Sequence, residues 1–512
     1  FDAKTSFNES FTSVDGSGRM AISTLTAGAN GLAAFTGELT YRGSLAHVAG
    51  KVNLSAQKAR LGTIFADATY VKGAYELGMR QGTFSLNGDF DTDSATLAPS
   101  MYAGVTQPLV AAGATPLGLI AKAMAAAITR TARHFDIDGG IKVVNFPGGG
   151  AARVQNAVIK GPAGAHASIS GGSGVTYYWP SYALRVDTTI GMGGGGLPSG
   201  RVALSQPRPG APLSGVANLA PYTAGGERLA LAPINFGPGP GGSTALSTVA
   251  QLDGRFADGR VSALRLPIQG HVGPGGGFAI GTACAVVSFQ YLQLHTLQLG
   301  ATRLPVCPIG PAIIYKRNGG QVLASARLNT PVLNGRLGSS PLHLAAASGQ
   351  ITGKQFIFNN LAMRLGKPES PVVFDATRLN GSLISGSNLR GKFSGAKATI
   401  GSVPLLLSDA TGSWIYRNSD LTVDSALTVS DVDPDPRFYP LRSNDVHMTI
   451  AGDYVRATGS LLHPQTGTLV TNVSIEHQLS SGSGHAQLDV PAITFTPNGL
   501  QPDELSRLSE GV

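Results

Sequence analysis

Apolar and polar residues alternate along most of this chain. In "GTLVTNVSIEHQLSSGSGHAQLDVP", residues 467–491, Leu469, Thr471, Val473, Ile475 and Leu479 fall on one face of a strand, and Val470, Asn472, Ser474, Glu476 and Gln478 fall on the other. That is a period of two, the signature of a half-buried strand. After the Ser-Gly-Ser-Gly turn, Ala486, Leu488 and Val490 alternate with His485, Gln487 and Asp489, which predicts a hairpin with one oily face. The same grammar governs "GTFSLNGDFDTDSATL" (82–97) and "DLTVDSALTVSDVD" (420–433). Turn residues recur about every 8 to 12 positions, the spacing of an antiparallel meander. No strict repeat length emerges, which weighs against a regular β-helix or propeller.

One segment departs from the pattern. "TPLGLIAKAMAAAITRTARHF" opens with Thr115 at an N-cap and Pro116 at the first helical position, and it places Leu117, Ile120, Ala121, Met124 and Ile128 on one stripe. It predicts one amphipathic helix near residues 115–134, either packed on the sheet or gating a groove. Three glycine-proline stretches, 191–200, 237–242 and 273–277, interrupt the alternation as loops, and the alternation resumes after each.

Composition supports an all-β chain and narrows its chemistry. Of 512 residues, 69 are glycine and only 13% are charged, whereas 42% are hydrophobic. Glycine and serine are interleaved with Val, Ile, Leu and Phe, so the chain can bury a core and is not disordered. The formal charge of +8 suits anionic partners in general. Lys and Arg are scattered singly, however, without any nucleic-acid-binding motif, so no nucleic acid is expected. The chain starts at Phe1 without a leader and contains no run of about 20 uncharged apolar residues; any membrane anchor is expected outside these residues. The two cysteines, Cys284 and Cys307, flank alternating residues that place them on neighbouring strands. They form either a disulfide, worth about 3 kcal/mol for such a loop, or a pair of buried thiols. A disulfide would indicate an exported protein.

Motifs for catalysis or cofactors are weak. "GMGGGG" and "GPGPGG" match the dinucleotide-binding spacing, but no helix comes after either one to receive a phosphate. Asp431, Asp433 and Asp435 have the odd spacing of a calcium loop, yet Pro436 stands where the EF-hand turn requires Gly and Arg442 where it requires Glu. His477 and His485 could meet across the hairpin near Asp489, but two imidazoles without a third ligand seldom hold zinc, and solvent-facing side chains are the expectation. No nucleophile elbow and no paired acids occur. The chain is therefore read as not an enzyme, with no catalytic residues, metal or cofactor.

A long one-sided sheet needs a cover for its apolar face. A second sheet, closure of the sheet on itself, or a ligand in an open trough would each serve. Candidate trough-lining residues are Leu421, Val423, Leu427, Val429, Leu469, Val473, Ile475, Leu488 and Val490; ordinary core packing is the alternative for each. At about 4.8 Å per strand and about 12 residues per strand and turn, the chain could build a sheet on the order of 150 to 200 Å long.

"VPLLLSDATGSW" (403–414), the segment 433–491 and "FTPNGLQPDELSRLSEGV" (495–512) resemble the bacterial YdbH family, of the AsmA-like group that also includes TamB and YhdP. "CAVVSFQYLQL" (284–294) and "RLPVCPIG" (303–310) are similar to its cysteine-bearing segment. The resemblance implies a periplasmic, Gram-negative cell-envelope bridge, anchored in the inner membrane by a segment not present here. Its long, twisted, curled antiparallel sheet would form an open, taco-like groove for phospholipids moving between inner and outer membrane. An outer-membrane or periplasmic lipoprotein is a possible partner. The expected organisation is a β-groove segment at 1–106, a helix insertion at 107–134 and a continued β-groove at 135–512, with a cysteine-bearing hairpin at 284–310 and the strongest resemblance over 390–512. The rival reading is an exported structural or adhesive β-solenoid with no lipid conduit.

Overall fold

The computed structural model describes all residues except 113–116, 257–258, 386–387, 402, 498, 507–508 and 510–512. The protein is all-β: among the described residues, 35 strands belong to an antiparallel sheet and there are two α-helices. Neighbouring strands run antiparallel in the described ladders, unlike the parallel stacking of a solenoid. Two compact units divide the chain: residues 1–251 with 271–274, and residues 252–270 with 275–512.

The first unit begins with a meander in which strands of 15 residues succeed one another: Ser13–Ala27, Asn30–Ser44, His47–Leu61, Ile64–Gly78 and Thr83–Leu97. The next strand, Phe135–Phe146, pairs directly with Thr83–Leu97, so the helices between them are an excursion from a continuing ladder. There are two helices where the sequence predicted one. Helix α1 spans Pro99–Ala111, and helix α2 spans Gly118–Ala132. The expected cap at Thr115 and Pro116 lies outside the described residues. Helix α1 carries Gly104 and an internal Pro108, both poor helix formers, and shows no apolar stripe, which is why periodicity missed it. Helix α2 buries Ile120 and Ala121 of the predicted stripe and packs against the short strands Tyr222–Ala224 and Glu227–Leu231. There the buried Glu227 carboxylate accepts the Ile120 N–H at 3.4 Å, and the Arg130 guanidinium donates to the Gly195 carbonyl at 2.7 Å.

Within the second unit, the part from Ser340–Thr352 to Gly484–Asp489 is a meander in which each strand pairs with the next in chain order. Its two-residue hairpin loops put Gly353 and Gly452 at φ 58°, the first position of a type II′ turn, whose twist matches that of the strands. Cys284 and Cys307 are joined by a disulfide, and the residues beside them, Ala285 and Val306, are partners in adjacent strands.

The long strands of this unit share a mid-strand irregularity. In Asn388–Ile400 the apolar set runs Leu389, Gly391, Phe393 and then Ala396, Ala398, Ile400; the phase changes at Gly395, which has φ 58°. In Leu405–Arg417 it runs Leu405, Leu407 and then Ala410, Trp414, Tyr416, with the change at Asp409, φ 50°. In Gln355–Leu365 it runs Phe356, Phe358 and then Leu361, Met363, Leu365, with the change at Asn360, φ 48°. An extra residue in a strand bends it and re-aims the side chains beyond the bend. Both arms of each strand thereby turn their apolar side chains to the same side. At the bend the side chains are small and in register, Ala376 opposite Ala396 and Ala396 opposite Ala410, and all three are buried.

Candidate functional site

The bent strands of the second unit enclose a cavity of about 1030 Å³ whose lining is almost wholly apolar. Phe356, Leu389, Phe393 and Trp414 come from one set of arms, and Met363, Ile400, Leu405 and Leu407 from the other. Side chains from both arms of one strand thus line the same space. The lining is continuous because the register is continuous. Trp414 pairs with Val423, Val423 with Met448, Met448 with Ala457, Ala457 with Ile475, and Ile475 with Ala486. Nearby in the register, Tyr416, Leu421, Ile450, Val455 and His477 form a second line, and all of these residues border the cavity. The opposite face of the same strands presents Lys392, Ser413, Asp424 and His447 in successive register, and then Ser474 and Gln487. A one-residue slip would exchange the two faces, so burial of the apolar one fixes the pairing.

Glycine and aromatic residues alternate across these ladders. Trp414 lies opposite Gly391, and Phe356 opposite Gly381. The indole covers both glycines, its Nε1 donates to the Asn380 carbonyl at 3.2 Å, and its ring centroid is 6.1 Å from that of Phe356.

Eight of the nine residues predicted to line a trough border this cavity: Leu421, Val423, Leu427, Val429, Val473, Ile475, Leu488 and Val490. Leu469 does not. The pairing shifts between Leu461 and Leu462, which face Thr471 and Leu469, and the intervening Val470 takes the place at the cavity that alternation gave to Leu469. Leu488 and Val490 are largely exposed, at 61% and 62%, and belong to the open rim.

The histidines are a correction. His477 is not solvent-facing: it is 2% exposed and borders the cavity, continuing the phase of Val473 and Ile475. Burial lowers its pKa from the ordinary value, opposed by the Asp453 charge. His485 is exposed and pairs with Glu476, so the two imidazoles do not meet.

The Asp431–Asp435 stretch is a turn closed by its own backbone. Asp431 accepts from the Asp433 N–H at 3.1 Å, and from the N–H and Nε–H of Arg437 at 3.0 and 2.6 Å; Asp433 accepts the Asp435 N–H at 3.1 Å. The Arg437 hydrogen bond holds the Asp431 carboxyl well below the usual carboxylate range. Among the described residues no three potential ligands are grouped to hold a metal. Sequence reasoning weighed the run as a calcium loop or a proline-stiffened turn; the turn is what forms, and Arg437, which borders the cavity, was missed because the run was not placed beside the trough.

The fold and site define an all-β scaffold whose strands line an apolar trough, a lining suited to long apolar ligands. The family model for YdbH-like proteins, described as intermembrane phospholipid transport protein YdbH, matches residues 183–512, and the chain belongs to that family. No curated protein and no solved structure matches the chain. The family is one of phospholipid transport and not of enzymes, and it fits a location in the cell envelope. No helix among the described residues is long and apolar enough to cross a membrane.

Proposed function

We propose that this chain is a groove-bearing segment of a periplasmic bridge that carries phospholipids between inner and outer membrane. Acyl tails occupy the apolar trough while headgroups remain in water. In this reading 1–106 and 135–512 supply groove and 107–134 an insertion, and a lipoprotein at the far membrane is the natural receiver. The eight predicted residues that border the cavity, from Leu421 to Val490, then contact lipid.

The observation that carries the reading is the unbroken apolar register from Trp414 through Val423, Met448, Ala457 and Ile475. An acyl chain of about 15 methylenes costs on the order of 12 kcal/mol to expose to water, at about 0.8 kcal/mol each. A lining that is almost wholly apolar removes most of that barrier. If a methylene fills the ~30 Å³ of a liquid water, the cavity of about 1030 Å³ has room for two acyl chains.

Lipid extraction and native mass spectrometry of the chain, purified from a bacterium in minimal detergent, test the proposal. Phospholipid is expected to co-purify and to be lost on changing Val473 and Ile475 to Asp, with the circular dichroism unchanged. A folded chain that never takes up phospholipid rejects it.

A further inference from the structure

Every described residue that borders the trough is uncharged or a histidine, with the exception of Arg437. Its side chain is 57% exposed, so the guanidinium stands where the apolar cavity meets solvent. It is also fixed in place. The Asp431 side chain, fully enclosed, receives its Nε–H at 2.6 Å, and the next residue, Phe438, packs against the core beneath. The Ser506 hydroxyl donates to the Arg437 carbonyl at 2.6 Å, and the Tyr439 N–H to the Leu505 carbonyl at 2.9 Å, so the C-terminal segment bolts the loop from its other side. With Nε engaged, the two terminal amino groups make no hydrogen bond to a described residue. Paired N–H donors in a rigid plane are the fork that grips a phosphodiester.

The surroundings select among phosphodiesters. Asp433 and Asp435, both exposed, flank Arg437 on the same loop, and Asp433 is near enough to raise the Arg437 pKa. Three carboxylates to one guanidinium match a purely anionic headgroup poorly. They suit a dipolar one, whose phosphate meets the cation and whose amine meets an acid.

We propose that Arg437, Asp433 and Asp435 form a headgroup site at the mouth of the trough for a zwitterionic phospholipid bearing a primary ammonium, of the phosphatidylethanolamine type. This deepens the groove reading and rests on it. Arg437 takes the phosphodiester. Asp433 and Asp435 take the ammonium, whose three N–H donors a quaternary amine lacks.

The test equilibrates the whole chain with vesicles of equimolar phosphatidylethanolamine and phosphatidylglycerol and measures the bound ratio by mass spectrometry. The wild-type chain is expected to enrich the ethanolamine lipid at least threefold. Asp433→Asn with Asp435→Asn, which keeps the turn's acceptors, should return the ratio to that of the vesicles with the circular dichroism unchanged. Arg437→Lys, which retains an ion pair with Asp431, should lower bound phospholipid severalfold with the circular dichroism unchanged. A wild-type ratio equal to that of the vesicles, or a double variant with the wild-type ratio, overturns the site and leaves the groove standing. A chain that takes up neither lipid overturns the groove and the site together. Displacement of bound lipid by equimolar glycerophosphoethanolamine would overturn the lipid assignment in favour of a free phosphodiester.

Discussion

Trp414 lies directly across the ladder from Gly391, and a Cβ on that glycine would fall 2.7 Å from the indole and 1.9 Å from the Asn380 carbonyl oxygen. The glycine is a recess that admits the largest side chain of the trough. A flat ring laid over a bare backbone lets two strands bend closely together while the lining stays apolar. Phe356 over Gly381 repeats the device elsewhere in the same sheet.

Gly391→Val should therefore destabilise the protein by about 1–3 kcal/mol through overpacking, displace the indole and shift its fluorescence. Chemical denaturation monitored at Trp414 in a Trp179→Phe background measures both. An unchanged midpoint and spectrum would mean that the recess is not needed.

His477 gives the trough a pH response. Its folded-state pKa lies below the ordinary 6.5 because burial disfavours the imidazolium, so the unfolded chain binds the proton more readily. Stability is then full above about pH 6.5 and falls as pH drops through the folded-state value. Urea midpoints from pH 8 to 5 should decline more steeply for the wild type than for His477→Gln. Parallel curves would refute a buried neutral imidazole.

The Cys284–Cys307 bridge closes a loop with a sequence separation of 23. Its removal by Cys284→Ser with Cys307→Ser should cost about 3 kcal/mol. Dithiothreitol should lower the wild-type denaturation midpoint to that of the variant and leave the variant's own midpoint unmoved. A reductant-insensitive wild type would show that the two thiols are not joined.

Much of the architecture is legible in local pattern. Alternation from Thr471 to Ile475 gives the strand and its inward face, and the same phase points to His477 once polarity is not taken as exposure. The mid-strand bends were hidden. A bulge at Gly395 or Asp409 adds one residue and reverses the phase, so each long strand looks like two short ones with a turn-like residue between them. The exchange of Leu469 for Val470 has the same cause. Pairing register is a non-local property that a single strand does not encode. Arg437 is visible only when the turn carrying it is placed at the trough mouth, which depends on Phe438 and Leu505 meeting a core built from strands far away in the chain.

The central claim is that lipid tails lie against one face of these strands and not the other. A photoreactive benzoylphenylalanine at position 475 or 474, irradiated in cells and analysed for phospholipid adducts, tests it most directly. Ile475 borders the trough and Ser474 points away from it along the polar register. Lipid adducts are expected at 475 and none at 474. Adducts at both positions, or at neither in a folded protein, would contradict it.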